Sequence, residues 1–139
     1  MRNCHRITTI IASAATTVGL GIVAAPSASA AASYNGACGA GYSVINSARI
    51  GSGGTIFLTY NSSNGNNCVV TIRDTPDSTP GLVSAGVGRS NDVYSWKSDV
   101  GNYQQYAGPV YVYGKGSCMD WTGAIQGYGV VERKATNCG

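Results

Sequence analysis

Thr55-Ile56-Phe57-Leu58-Thr59-Tyr60, Asn61-Ser62-Ser63-Asn64-Gly65-Asn66 and Asn67-Cys68-Val69-Val70-Thr71-Ile72-Arg73 read as strand, reversal and strand. β-Branched and aromatic side chains suit a pleated, half-buried backbone, and Asn64-Gly65 supplies the positive φ angles of a tight turn. Because side chains alternate across a strand, Ile56, Leu58 and Tyr60 are expected on one face opposite Cys68, Val70 and Ile72. Thr59, Thr71 and Arg73 are expected toward solvent.

The same grammar extends in both directions. Tyr42–Ile50 is a strand entered through Gly39-Ala40-Gly41, and Thr75–Gly81, with Pro76 and Pro80, is a loop. Leu82–Val87 and Asp92–Lys97 are short strands. Tyr106–Tyr113 alternates Val110 and Val112 with Tyr111 and Tyr113, turns at Gly114-Lys115-Gly116, and returns through Ser117–Trp121. Gly123–Gly129 reverses the chain again, and Val130-Val131 lies in a last strand. Apolar residues nowhere keep a three-four spacing beyond two turns, so helix is not favoured. The expected fold is all-β: a small single-domain antiparallel β-sandwich or barrel of seven to eight short strands.

Residues 1–30 differ in kind. Arg2 and Arg6 precede an apolar run from Ile7 to Ala25, followed by Ala28-Ser29-Ala30. A charged head, an apolar middle and small residues at a cleavage point make a signal peptide. The run is close to the length of a membrane span, but its Thr and Gly residues and its cleavage signature favour export. Residues 31–139 are then the secreted β domain, with no membrane association after cleavage.

Removing the leader removes the only His, His5, together with Cys4. A Ser-His-Asp or Cys-His site is excluded from the remainder, as is a His-ligated zinc site. Seven Lys and Arg stand against six Asp and Glu, a net charge of +1 that builds no phosphate-facing surface. Nucleic acid is therefore not an expected partner, and no metal or other cofactor is implied.

Cys38, Cys68, Cys118 and Cys138 remain, an even number that reads as two disulfides in an exported chain. Four cysteines allow three pairings. Cys38–Cys68 with Cys118–Cys138 is preferred, since each joins sequence neighbours and staples one half of the domain. A four-thiolate metal site lacks any closely spaced Cys pair.

The segments Ser33-Tyr34-Asn35-Gly36, Cys38-Gly39, Gly41-Tyr42, Leu58–Ser62, Asn67–Arg73 and Tyr106–Trp121 resemble the spore-associated protein A family of streptomycetes, from about residue 33 to residue 139. The resemblance implies a small exported protein found with spores or aerial growth. It implies no activity and no catalytic residue.

Candidate sites follow from side-chain chemistry. Tyr and Trp present an apolar ring and a polar tip, so Tyr106, Tyr111, Tyr113 and Trp121 are candidates for binding a spore or cell-wall polymer; Tyr is also simply common on exposed strands. Asp120 with Glu132 is the carboxylate pair to test for glycoside hydrolysis, with salt bridges to Lys115, Arg133 or Lys134 as the plainer reading. Asn91–Trp96 is similar to a βγ-crystallin calcium loop but supplies half the oxygens that calcium wants; a plain turn is preferred. Asp74 and Asp77 around Pro76 read as turn chemistry. The expected function is a non-enzymatic surface-binding or coating protein. The alternative is a secreted inhibitor of a protease or glycosidase, presenting Thr75–Pro80. Oligomeric state stays open, although Val- and Tyr-rich strands of low charge are prone to edge pairing.

Overall fold

Asn61 pairs with Asn66, and four residues close the reversal between them. Gly65, at φ +75, donates to the Asn61 carbonyl at 2.8 Å, and the Asn61 and Asn64 side chains accept from Ser63 N and Asn66 N. That loop sets the register of the whole hairpin. Ile56 lies opposite Thr71, Phe57 opposite Val70, Leu58 opposite Val69 and Thr59 opposite Cys68. The pairing expected from alternation is therefore off by one residue, and every Val and Cys of the second strand changes face.

A computed structural model describes residues 29–139; the proposed leader falls almost entirely outside them. The strands are β1 (Ser43–Ile50), β2 (Gly54–Asn61), β3 (Asn66–Arg73), β4 (Gly81–Arg89), β5 (Lys97–Tyr103), β6 (Tyr106–Tyr113), β7 (Met119–Ile125) and β8 (Gly129–Thr136). They form two four-stranded antiparallel sheets, ordered β1-β2-β3-β6 (sheet A) and β5-β4-β7-β8 (sheet B). The all-β sandwich expected from the sequence is the fold found. Both preferred disulfides are present, Cys38–Cys68 and Cys118–Cys138.

The core lies between the sheets. Ile50, Ile56, Leu58, Val69, Val110 and Val112 from sheet A meet Val83, Ala85, Val87, Met119, Trp121 and Ile125 from sheet B. On β7 the period of two is clean: Met119, Trp121, Gly123 and Ile125 point in, while Asp120, Thr122 and Ala124 are half-buried on the outer face. Gly123 carries no Cβ because Thr71 Oγ1 and Ile56 Cδ1 occupy its space; an added Cβ would lie 2.5 Å and 2.9 Å from them.

β2 and β3 are buried on both faces. Phe57, Val70 and Ile72 form a second apolar cluster on the outer side of sheet A, covered by Ala32, Tyr34 and Ala37. Thr59, Thr71 and Arg73, expected in solvent, are consequently buried. Thr59 Oγ1 donates to the Cys68 carbonyl at 3.0 Å. Both faces being apolar, hydrophobicity alone did not select the register.

Two further segments depart from expectation. The reversal expected over Gly123–Gly129 begins only after Ile125, because Gly123 is an inward position of β7. Asp92–Lys97 is a turn, with the strand β5 starting at Lys97. Val93–Ser95 forms a 3₁₀ turn, capped by Asp92 accepting from Tyr94 N. Ser95 Oγ donates to the Asp92 carbonyl and accepts from Arg89 N, both at 2.7 Å. Side chains that bond nearby backbone displace strand pairing. On β6, Gly108 and Pro109 bulge against Val70, since Pro has no N–H for the ladder.

Gly123→Ala should destabilise the fold by about 1–3 kcal/mol through overpacking, read as a lower urea midpoint with an unchanged slope. Gly127→Ala should cost less, because an added Cβ there meets no neighbour and only its φ of +82 opposes a side chain.

Candidate functional site

Val110 and Val112 face the core, so Tyr111 and Tyr113 face outward; beyond the bulge Tyr106 joins them. These three tyrosines lie along β6 opposite Cys68, Asn66 and Ile72 of β3. They are not equivalent. Tyr111 Oη donates to the Cys38 carbonyl at 3.0 Å, Cys38 N donates to Tyr34 Oη at 3.2 Å, and the Tyr42 ring meets Tyr111 edge-on with centroids 5.6 Å apart. Burial lifts the Tyr111 phenol above its ordinary pKa, with smaller contributions from Tyr42 and Tyr34, so it stays a neutral donor. Tyr111 thus helps hold the segment before β1 across sheet A. Tyr106 and Tyr111 are equally exposed at 36%, and Tyr113 is the most open of the three at 53%.

Trp121 corrects the sequence reading. It has no accessible surface, fills the core, and donates from Nε1 to Thr136 Oγ1 at 2.8 Å. A side chain so enclosed touches no ligand. Its place on the inward face of β7 follows from the alternation that turns Asp120 outward.

The other carboxylates are mostly engaged in structure. Asp120 Oδ1 accepts from Ser90 Oγ at 2.5 Å and from Ala135 N at 2.8 Å, and Glu132 pairs with Lys134 at 3.3 Å. Asp92 caps the 3₁₀ turn and pairs with Arg89, which puts a guanidinium where a calcium ion would need oxygen. Among the described residues no group of three or more His, Cys, Asp or Glu is placed to hold a metal, and no helix is long and apolar enough to cross a membrane. In the exposed Thr75–Pro80 loop, Asp77 Oδ1 accepts from Thr79 N, Asp77 N donates to the Gln104 carbonyl, and Gln104 Nε2 donates to the Ser78 carbonyl. Gly51-Ser52-Gly53 is the β1–β2 turn, closed by Gly53 N on the Ile50 carbonyl.

One aromatic outside the binding candidates stands out on sheet B. Trp96 leaves the 3₁₀ turn and lies over Gly86 and Gly88 of β4, where an added Cβ would come within 2.6 Å of its Cζ2 and 3.0 Å of its Cε3. The spacing Gly86-Val87-Gly88, two residues with no Cβ on one face of a strand, was the legible sign of a bed for a ring.

The covering segment is pinned at its start by Asp74, which accepts from Ala32 N at 2.7 Å and from Arg49 at 2.6 and 2.5 Å. The Arg49 hydrogen bonds hold the Asp74 carboxyl below its ordinary range. A carboxylate whose folded pKa is depressed stabilises the fold above its unfolded pKa and loses that contribution as pH falls through the folded value. Asp74→Asn should therefore lower stability at neutral pH and flatten the acid side of a melting-temperature profile below about pH 4. Removing the Cys38–Cys68 bridge with paired Ser substitutions should cost about 3 kcal/mol, measured by urea unfolding.

No family model matches the chain, and no solved structure matches it. Over 114 residues it is 51% identical to Spore-associated protein A of Streptomyces coelicolor, an alignment that covers 78% of this chain and 73% of that protein. With that identity over most of its length, the chain belongs to the spore-associated protein A family.

Proposed function

We propose that this protein is an exported, non-enzymatic component of the spore or cell surface that acts by binding or coating it, with a cell-wall or spore-coat glycan as the polymer bound. The 51% identity to a protein named for its association with spores carries the reading. Two disulfides agree with export. The outer side of sheet A supplies a means: Tyr106, Tyr111 and Tyr113 all expose surface along β6, Tyr113 most, and Tyr111 is also tied down at its hydroxyl. Rings held on a rigid strand lose little freedom on binding, and their faces and hydroxyls match the C–H and O–H groups of sugars.

The inhibitor reading keeps one supporting observation, the bonds through Asp77 and Gln104 that brace the exposed Thr75–Pro80 loop. Preorganised loops suit tight recognition by another protein.

The test is sedimentation of the purified oxidised protein with intact spores, peptidoglycan and chitin. Wild-type protein should be retained on spores and on at least one polymer, and a Tyr106→Ala/Tyr113→Ala double variant should lose affinity by about tenfold or more. Tyr111→Phe should bind normally while losing about 1 kcal/mol of stability with its hydrogen bond. Absence of retention on every surface, with nanomolar inhibition of a secreted protease or glycosidase, would reverse the ranking of the two readings.

A further inference from the structure

The outer side of sheet B carries a second aromatic in a different setting. Gly86 and Gly88 leave a shallow bed on β4, and Trp96 lies in it with Thr122 alongside. One face of the indole is covered and the side chain keeps 43% of its surface exposed. Against it opens a cavity of about 320 Å³, lined by Arg89, Asn91, Asp92, Val93, Trp96 and Asp120, at the small end of the roughly 300–1,000 Å³ range of ligand sites.

The turn that forms this wall is braced. Ser95 Oγ bonds Arg89 N and the Asp92 carbonyl. Arg89 pairs with Asp92 and donates to the Tyr113 carbonyl at 3.0 Å. Asn91 adopts φ +64, the left-handed region that Asn tolerates better than most residues with a side chain. Two polar groups on the lining have hydrogen-bonding capacity to spare among the described residues: the Asn91 amide, and Asp120 Oδ2, since Ser90 and Ala135 both use Oδ1. Arg89 is already neutralised by Asp92, so no free cation draws an anion here. An accessible indole face, an amide and a carboxylate oxygen around a small cavity suit a neutral ligand with an apolar C–H face and adjacent hydroxyls.

We propose that this cavity is a saccharide subsite in which one pyranose unit of a surface glycan stacks on Trp96 and bonds Asn91 and Asp120 through its hydroxyls. The assignment rests on the reading of the protein as a glycan-surface binder and places a contact on sheet B that the β6 tyrosines do not supply.

Tryptophan emission tests it directly, because the other indole, Trp121, is fully buried. Chitotetraose, cellotetraose and a solubilised peptidoglycan glycan strand are titrated into the oxidised protein. At least one should shift the emission saturably. Trp96→Ala should then lose about tenfold or more in affinity, measured by calorimetry, with Trp96→Tyr retaining most of it. Gly88→Ala keeps the indole but displaces it and should also weaken binding. Asn91→Gly, which relieves the positive φ while removing the amide, should weaken binding without loss of stability. Unchanged emission with all three probes, or Trp96→Ala binding as wild type does, overturns the subsite. If wild-type protein still sediments with spores in that case, the surface reading survives; if it does not, both fall.

Discussion

Burial of β2 and β3 on both faces is the constraint on which the rest of the structure depends. Ile56, Leu58 and Val69 turn toward sheet B, and Phe57, Val70 and Ile72 turn away from it. A sheet apolar on both sides must be covered twice. Sheet B covers one side. The other is closed by residues before β1, held through Cys38–Cys68, the Tyr111 hydroxyl and the Asp74 carboxylate. Much of the unusual chemistry of the chain, from its first disulfide to the Arg49–Asp74 ion pair, serves that second layer.

Sheet B is built on the opposite plan. Its inner face fills the core with Trp121, Met119 and Ile125, while its outer face has no covering segment among the described residues. Leu82, Val100 and Val130 stand exposed there. Trp96 covers only Gly86 and Gly88. The molecule thus offers one aromatic surface locked by a disulfide-held strap and another resting on glycine.

Much of this was legible in the residues. The hairpin, the Val–Tyr alternation of β6 and the strand content followed from local pattern, because steric preference and side-chain alternation act within a few residues. The preferred cysteine pairing followed from proximity along the chain. Register did not follow: with apolar side chains on both faces, a slip of one residue leaves hydrophobicity satisfied, and the four-residue loop between Asn61 and Asn66 decided it. Trp96 was likewise passed over as a binding residue, because its meaning depends on Gly86 and Gly88 on another strand.

The sequence by itself determined the class of fold, an even set of four cysteines and the absence of histidine chemistry after residue 30, since all three depend on composition and short-range pattern; which cysteines pair was decided by the structure. Only the tertiary structure decided which aromatics are surface and which are core. Trp121 and Trp96 are the same residue type, yet one is enclosed between the sheets and the other lies open on a glycine bed. The difference is made by what packs on each face, and that is supplied by residues remote in the chain.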